Sequence, residues 1–449
     1  MQACDIISRF RHFGDAPAIV WRGTTYSYSQ LLAHLETQSQ ALREKGIQPG
    51  QCIALLGDFS PATTAMLLAL AANGNIVVPL TRSVLTKEEL DQRLIYSSYV
   101  IEFGEDDRWE IAKRQQCQDH VLFDQLRDGG EPGLILFSSG STGVAKASLH
   151  SFNRLLAPFT ERRRSFRMLT FLLLDHMGGI NTLLSVLCNG GVAVTTRQRS
   201  AEAICELVER HRIELLPATP TFLNMLLISE AYKRHDLSSV KFMSFGTEAM
   251  PQSTLDALRQ AFPGVKFRQL YGMTELGILP SRTHAEDGLR VKLGGDGCEV
   301  KVVDGVLWVR ASTAMIGYLN APSMFDKDGW FNTGDAVVEE DGYLRILGRD
   351  SEMINVGGEK VFPAEVENAI LEVENVEDVA VWGKPNPVTG TIIVARVALR
   401  EPVEKRTLGR KIRSHCKDKL APFKIPALIE ISDGPLHGAR FKKKRSADA

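Results

Sequence analysis

Hydrophobic and polar residues alternate with two different periods along the N-terminal part of the chain. Residues 19–21 and 25–28 are short β-type runs around a turn, which predicts a hairpin. Leucines at helical spacing then predict a helix that ends at Gly46. The next predicted elements are a strand over 52–56, a helix over 61–72 and a strand over 76–80. This succession indicates α/β layering with a largely parallel sheet.

The same alternation returns in the middle of the chain and changes after about residue 290. The predicted elements before this point are a helix over 201–212, a strand over 214–216, a helix from residue 220 and a strand over 241–245. Beyond it, short strands joined by Asp-Gly turn pairs indicate a smaller β-rich unit. The last part predicts a helix over 363–370, strands over 376–382 and 392–399, and a helix over 408–420.

A chain of 449 residues exceeds what one hydrophobic core usually organises, so these patterns predict an α/β protein of two domains. We place a large N-terminal domain at 1–348, with layered α/β sheets and the small β-rich unit. A small C-terminal α+β domain follows at 349–449.

Charge content indicates the class of partner, and cysteine content indicates the redox environment. The 53 lysines and arginines nearly balance the 54 aspartates and glutamates, so no overall field favours nucleic acid or an anionic membrane. The seven cysteines stand singly, which argues against a disulfide framework and favours reduced thiols in a cytosol. The sequence contains no apolar run of signal-peptide or membrane-span length, and we therefore expect a cytoplasmic protein with a small-molecule partner.

One loop rich in hydroxyl groups and glycine has the composition of a phosphate-binding segment. It follows the apolar run 134–137, and its candidate ligands are Ser138, Ser139, Gly140, Ser141, Thr142, Gly143 and Lys146. Glycines let backbone N–H groups approach an anion closely, and hydroxyl groups and a lysine add donors and charge. The spacing differs from the Walker pattern, because Lys146 is followed by Ala147. A mobile surface loop remains the alternative on this feature alone.

Three further motifs carry candidate chemistry. Tyr271-Gly272-Met273-Thr274-Glu275 follows a predicted strand and combines a ring with a carboxylate suited to a hard cation. Asp335 follows a tight turn and is of the type that binds ribose hydroxyls as a double acceptor. Gly348-Arg349 and Gly357-Gly358 come last. Taken singly, each is a common surface sequence.

Together and in this order, the four motifs resemble the adenylate-forming superfamily of acyl- and aryl-CoA ligases, nonribosomal adenylation domains and beetle luciferases. The resemblance covers nearly the whole chain. It implies a reaction in two steps that uses ATP, Mg²⁺ and coenzyme A. A carboxylate first attacks the α-phosphate of ATP, and a thiol then takes the acyl group from the adenylate.

The resemblance also implies a role for each motif. The loop from Ser138 to Gly143, with Lys146 and Thr274, stabilises the phosphates, and Glu275 holds magnesium. Adenosine contacts are implied for Gly246, Thr247, Glu248, Tyr271, Gly272, Asp335 and Arg349. His176 lies where CoA ligases of the family place a histidine beside the reacting carboxylate. Apolar and small residues around it favour an aromatic or a small to medium acyl acid.

In this family the small domain is mobile and rotates between the two steps about a hinge, here Ser351, where many members have Asp or Lys. Gly357 and Gly358 then allow the pantetheine arm to pass. The usual C-terminal Gly-Lys pair is missing, and either Lys442 or Arg440 takes the place of the catalytic lysine. Judged by its charge alone, the basic run 441–445 is expected to be a solvated tail.

The leading hypothesis is an ATP-dependent carboxylic acid:CoA ligase that forms AMP. A second is a stand-alone adenylation enzyme that loads an acyl or amino acid onto a carrier-protein thiol, with Asp175 binding an amino group. A third, from another class, is an acyl-nucleotide binding protein impaired in adenylation, which the missing Gly-Lys pair motivates.

Overall fold

The computed structural model describes residues 1–138, 145–387, 389–438 and 440–445. Its helices are α1 (Ala3–Phe13), α2 (Tyr28–Glu44), α3 (Pro61–Ala72), α4 (Lys87–Arg93), α5 (Leu122–Asp128), α6 (Phe152–Leu156), α7 (Met177–Asn189), α8 (Ala201–His211), α9 (Pro220–Ser229), α10 (Gln252–Ala261), α11 (Pro363–Leu371) and α12 (Lys405–Lys417). None of these helices is long and apolar enough to cross a membrane.

The strands fall into three groups along the chain. The first group is β1 (Pro17–Trp21), β2 (Thr24–Ser27), β3 (Cys52–Leu56), β4 (Ile76–Leu80), β5 (Tyr99–Phe103), β6 (Trp109–Lys113), β7 (Gly133–Ser138), β8 (Lys146–Ser151), β9 (Arg167–Thr170), β10 (Val192–Thr195), β11 (Leu215–Ala218), β12 (Phe242–Phe245) and β13 (Lys266–Gln269). The second is β14 (Gly272–Met273), β15 (Gly277–Ile278), β16 (Ser281–Thr283), β17 (Arg290–Leu293), β18 (Cys298–Val303), β19 (Val306–Ala311), β20 (Gly317–Tyr318), β21 (Phe331–Glu340) and β22 (Tyr343–Arg349). The third is β23 (Ile354–Val356), β24 (Glu359–Val361), β25 (Val376–Asn386), β26 (Gly390–Leu399) and β27 (Leu428–Ile431).

Two seven-stranded sheets form the frame of the large part. Their orders are β13-β12-β11-β9-β10-β1-β2 and β20-β8-β7-β4-β3-β5-β6. Pairing is parallel except between β1 and β2 in the first sheet, and at β20, β8 and β6 in the second. The predicted α/β layering with largely parallel sheets is confirmed.

Helix α3 lies in the core, and its sequence explains why. It is apolar around its whole circumference, and Pro61 through Ala71 are all buried, as expected for a helix covered on every side. Its N-terminus is fixed by Ser60, whose hydroxyl accepts from the Thr63 N–H at 3.0 Å. Residues of α3 share one apolar core with α1, α2 and α7 and with both seven-stranded sheets.

Two smaller sheet systems complete the chain. The predicted β-rich unit is a six-stranded antiparallel sheet in the order β16-β17-β22-β21-β19-β18. The C-terminal part packs α11 and α12 around the sheet β25-β26-β27, with a core drawn from residues between 354 and 431. A large N-terminal part and a small C-terminal part are thus confirmed, and the boundary at 348/349 stays a prediction.

The bounds predicted for the last helix were wrong. It spans Lys405–Lys417 rather than 408–420. The Leu408 N–H already donates to the Glu404 carbonyl, so the helix begins one turn earlier, in a polar exposed segment that carries no hydrophobic signal. All seven cysteines have free thiols, and five of them are buried.

Candidate active site

The phosphate loop connects two strands of an antiparallel hairpin. Ser138 at the end of β7 pairs directly with Lys146 at the start of β8. Asn320 ties down the exit of the loop: its side-chain oxygen accepts from the Ala147 N–H, and its amide donates to the Ala145 carbonyl, both at 2.8 Å. The predicted ligands Ser139, Gly140, Ser141, Thr142 and Gly143 lie outside the described residues.

Glu275 lies beside the first strand of this loop. Its Oε1 accepts from the Tyr318 hydroxyl at 2.7 Å and from the Ser138 hydroxyl at 3.4 Å. Burial and the Glu275 charge raise the pKa of Tyr318, so this hydroxyl stays a proton donor. The Lys146 ammonium stands over the Tyr318 ring at 5.2 Å. Tyr318 therefore links the two charged residues that sequence reasoning assigned to phosphate and metal.

The oxygens around Glu275 suit a hard cation whose remaining ligands come from elsewhere. The described residues contain no group of three or more His, Cys, Asp or Glu side chains that could hold a metal ion. Magnesium is commonly held by one or two carboxylates together with substrate phosphates, rather than by a cage of protein ligands. A single carboxylate next to a phosphate loop fits that pattern.

A second polar group forms where β21 and β22 pair. Asp335 and Arg349 lie opposite each other in register, with the Arg349 Nε 2.7 Å from the Asp335 Oδ1. The Tyr271 hydroxyl donates to the other oxygen at 2.5 Å. Burial raises the pKa of Asp335, and the neighbouring Arg349 opposes that rise. The structure thus brings together three of the predicted adenosine residues.

Gly246, Thr247 and Glu248 follow β12 directly. A Cβ on Gly246 would lie 2.7 Å from the Leu270 carbonyl oxygen, so a side chain is excluded there. Thr247 has φ +73°, a conformation that side chains rarely adopt and that is common at functional sites. Glu248 accepts from the Thr221 hydroxyl and from the Lys443 N–H, both at 2.7 Å.

His176 caps the N-terminus of α7. Its Nδ1 accepts from the Gly178 N–H at 3.0 Å, which places the ring proton on Nε2. Burial, with the charges of Lys442 and Arg440, lowers the pKa of His176 to about 3. The imidazole is therefore neutral at pH 7. It faces a pocket lined by Phe171, Leu172, Leu173, Arg199, Thr219, Thr247, Arg440, Phe441 and Lys442.

The glycine pair after His176 is required by packing. A Cβ on Gly179 would stand 1.9 Å from the Leu173 carbonyl oxygen. We expect Gly179→Ala to lower the free energy of unfolding by about 1–3 kcal/mol or more, since overpacking outweighs the roughly 1 kcal/mol that alanine gains in a helix. Urea denaturation checks this. Gly434→Ala is the control, because nothing lies within 4 Å of its Cβ position. Equal stability of both variants would contradict the packing argument.

The C-terminal hairpin, defined here as residues 436–438 and 440–445, reaches from the small part into this pocket. His437 pairs with Lys443 across the hairpin, and the turn carries Phe441 at φ +52°. The Phe441 ring packs against Phe171 and Phe222 at centroid distances of 5.4 and 5.7 Å. The two candidates for the catalytic cation, Arg440 and Lys442, flank this ring.

These two cations differ in their ion pairs. The Arg440 guanidinium forms two hydrogen bonds to Asp175, at 2.9 and 2.7 Å. The Lys442 ammonium makes no ion pair within 4 Å to any residue that the structure describes. Desolvation in the cleft lowers the pKa of Lys442, with Arg349 and Arg440 adding repulsion and Glu248 opposing it. Of these two cations, Lys442 is the one whose charge is free to reach a ligand.

The expectation of a solvated basic tail was wrong for two of its residues. Lys443 donates to the Val379 carbonyl at 2.8 Å, and Arg445 forms two hydrogen bonds of 2.9 Å to Glu367. Glu367 is 3% exposed, and a buried carboxylate needs such partners. The run therefore anchors the hairpin to the small part.

The remaining predicted residues lie in short strand β14 or at turns. Thr274 precedes Glu275 between β14 and β15. Gly272 is in β14, where a Cβ would meet the Gly277 carbonyl oxygen at 2.5 Å. Gly357 and Gly358 form the exposed turn between β23 and β24, with φ +62° and +95°. Ser351 is exposed in a 3-10 turn directly after β22.

Comparison with known proteins agrees with this arrangement. The sequence profile described as AMP-binding enzyme matches residues 8–319, and that of the AMP-binding enzyme C-terminal domain matches residues 365–439. The chain therefore belongs to the AMP-binding enzyme family. The expectation of an adenylate-forming, AMP-forming acid–thiol ligase is confirmed.

Relatives among curated proteins span nearly its whole length. Indoleacetate–CoA ligase of Aromatoleum aromaticum is 28% identical over 94% of this chain and 93% of its own. Feruloyl-CoA synthase of an Amycolatopsis species is also 28% identical, over 95% and 94%. Among solved structures, the anthranilate CoA ligase AuaEII in complex with anthranoyl-AMP superposes with a TM-score of 0.86 at 23% identity, covering 99% of this chain and 95% of that one. At 23% identity, this structural match shows a shared fold.

Proposed function

We propose that this protein is an ATP-dependent, AMP-forming carboxylic acid:CoA ligase for aromatic acids. The observation that carries the proposal is the free Lys442 ammonium in one pocket with the neutral His176 and the rings of Phe171 and Phe441. A planar acid fits such walls, because aromatic rings pack well face to face or edge to face. Indoleacetate, ferulate and 4-coumarate, the acids in the names of three relatives, are all aromatic.

In the first step a carboxylate oxygen attacks the α-phosphorus of ATP, and the bond to pyrophosphate breaks. Negative charge is redistributed over the phosphoryl oxygens, so donors fixed around them stabilise the transition state. We assign this role to Lys442, Lys146, Thr274 and the loop from Ser138 to Gly143. Glu275 would hold magnesium, which would supply positive charge to neutralise the phosphates. The Nε2–H of His176 orients the acid.

The adenosine half is assigned to the group around Asp335. Its carboxylate accepts from the ribose hydroxyls, and Arg349 holds it in place at 2.7 Å. Tyr271 and the backbone of Gly246, Thr247, Glu248 and Gly272 line the base. Both Tyr271 and Arg349 already contact Asp335, so this half is ordered by protein contacts alone.

In the second step a thiolate attacks the acyl carbon of the adenylate, and AMP leaves. We assign the thiol to coenzyme A, with rotation of the small part about Ser351 and passage of the pantetheine arm along Gly357 and Gly358. A carrier-protein thiol is the alternative acceptor. An amino acid as substrate is less well supported, because Asp175 is already occupied by Arg440. Five buried, unpaired cysteines support a reducing, cytosolic setting.

The test is ATP–pyrophosphate exchange with a panel of acids. Indoleacetate, ferulate, 4-coumarate and anthranilate represent aromatic acids, and a short alkyl acid and an amino acid serve as comparisons. We expect magnesium-dependent exchange with at least one aromatic acid, followed by AMP release when coenzyme A is added. Exchange with none of the acids would contradict the proposal. Thioester formation only on a carrier protein would favour the alternative acceptor.

A further inference from the structure

Asp175 is a buried acid at the edge of the acid pocket. Its side chain is 1% exposed, and it directly precedes His176. An isolated carboxylate at this depth would be strongly unfavourable, so it requires a countercharge. The structure supplies two. Arg440 binds both oxygens at 2.9 and 2.7 Å, and the Nη1 of Arg93 lies 3.9 Å from the Oδ2.

The two arginines come from different parts of the molecule. Arg93 is the last residue of α4 in the large part, and its guanidinium rests over the Phe137 ring at 5.2 Å. Arg440 belongs to the C-terminal hairpin, 265 residues away from Asp175 along the chain. The Arg440 pair is therefore a bond between the two parts, whereas the Arg93 pair is internal to the large part.

We propose that Asp175 is a positioning residue that latches the C-terminal hairpin in the arrangement needed for adenylation. This inference rests on the proposed function. Arg440 lies two positions before Lys442, and Phe441 turns the backbone between them with φ +52°. Fixing the planar Arg440 fork in two hydrogen bonds therefore fixes where the Lys442 ammonium enters the pocket.

Arg93 makes the latch reversible. When the hairpin leaves for the second step, Asp175 loses Arg440 but keeps a positive charge 3.9 Å away. The carboxylate therefore keeps a countercharge. Loss of both arginines would leave a buried, unpaired charge and would strongly oppose opening. Arg440 itself moves toward solvent, where its charge is hydrated. Asp175 is thus paired with both arginines when the hairpin is in place and with Arg93 alone when the hairpin has left.

The test separates the two half-reactions in the full-length protein. Arg440→Gln and Asp175→Asn should each lower ATP–pyrophosphate exchange by about 100-fold, since small displacements of a catalytic group have effects of this size. Thioester formation from chemically prepared acyl-adenylate and coenzyme A should change by no more than about twofold, because that step does not use the closed hairpin. The double variant should be no worse than either single one, because both break the same bond.

Further variants keep the outcome interpretable. Arg440→Lys should restore part of the exchange through a single hydrogen bond. Lys444→Gln removes an exposed charge on the same hairpin and should leave both steps unchanged. Equal losses in the two half-reactions, or additive effects in the double variant, would overturn the latch. Loss of exchange in Arg440→Gln with full exchange in Asp175→Asn would make Arg440 a direct contact instead. Wild-type protein without exchange would refute the proposed function, not the latch.

Discussion

Lys442→Gln should reduce acid-dependent ATP–pyrophosphate exchange by about 1,000-fold, which is the upper range for loss of one preorganised group that stabilises transition-state charge. The reason is that Lys442 lines the acid pocket and has no ion-pair partner among the described residues, while Arg440 is held by Asp175. Lys444 also has no ion-pair partner among the described residues, but it is exposed and is not among the residues that line the pocket. The measurement is isotope exchange at saturating acid and ATP.

The second half-reaction provides the internal control for Lys442. Thioester formation from added acyl-adenylate should proceed in the Lys442→Gln variant at nearly the wild-type rate, because the phosphoryl transfer has already taken place. Lys444→Gln, an exposed neighbour of the same charge, should retain both activities. Full exchange activity in Lys442→Gln would show that the Lys442 charge is not used, and would return Arg440 to that role.

Glu275→Gln should lower exchange by about 100-fold and raise the magnesium concentration needed for half-maximal rate. An amide keeps the shape of the side chain but lacks the charge that a hard cation prefers in its ligands. It can still accept the hydrogen bond that Tyr318 donates at 2.7 Å, so the local structure should survive. Initial rates measured across a magnesium titration check the prediction.

The matched control for this change is Glu286→Gln, since Glu286 is an exposed acid in the loop between β16 and β17. It should leave the magnesium titration unaltered. If Glu275→Gln loses activity but keeps the wild-type magnesium dependence, Glu275 acts on the phosphate loop through Ser138 rather than on the metal. An unchanged rate would exclude it from the reaction.

Local sequence patterns predicted most elements because their signals are local. The hairpin of β1 and β2, the helix α3 and the strands β3 and β4 each follow from periodicity and from turn or capping residues within a few positions. The start of α12 was missed because its first turn is polar and exposed, so no apolar residue marks it. Helix ends of this kind carry little hydrophobic signal.

Contacts between distant residues explain what the sequence could not predict in the site. Tyr318 bonds to Glu275 and Asn320 holds the phosphate loop, yet no motif that we singled out included either residue. Asp175 was considered as an amino-group ligand, but its pairing with Arg440 depends on how the two parts meet. The motifs identified residue types suited to the chemistry, and only the structure showed that Arg440 is paired with Asp175.

The basic C-terminal run is a second case in which a contact with a distant residue decides the structure. Five residues with four positive charges are typical of a hydrated tail, and charge density alone gives no reason to expect otherwise. The buried Glu367 on α11 changes the outcome, because it binds Arg445 through two hydrogen bonds. A carboxylate in a distant helix thus decides whether a basic run is solvated or anchored.

The apolar core of the small part contains only residues beyond 348, so it does not extend into the large part. Contacts across the junction include the Asp175–Arg440 pair, the Glu248–Lys443 hydrogen bond, a hydrogen bond from Asn224 to the Glu377 carbonyl at 3.1 Å, and the packing of the Phe441 ring. Such a junction resembles a transient protein–protein interface, and its charged contacts weaken as ionic strength rises. An opening of this junction would disrupt polar contacts and the packing of the Phe441 ring, and it would leave the apolar core of the small part intact.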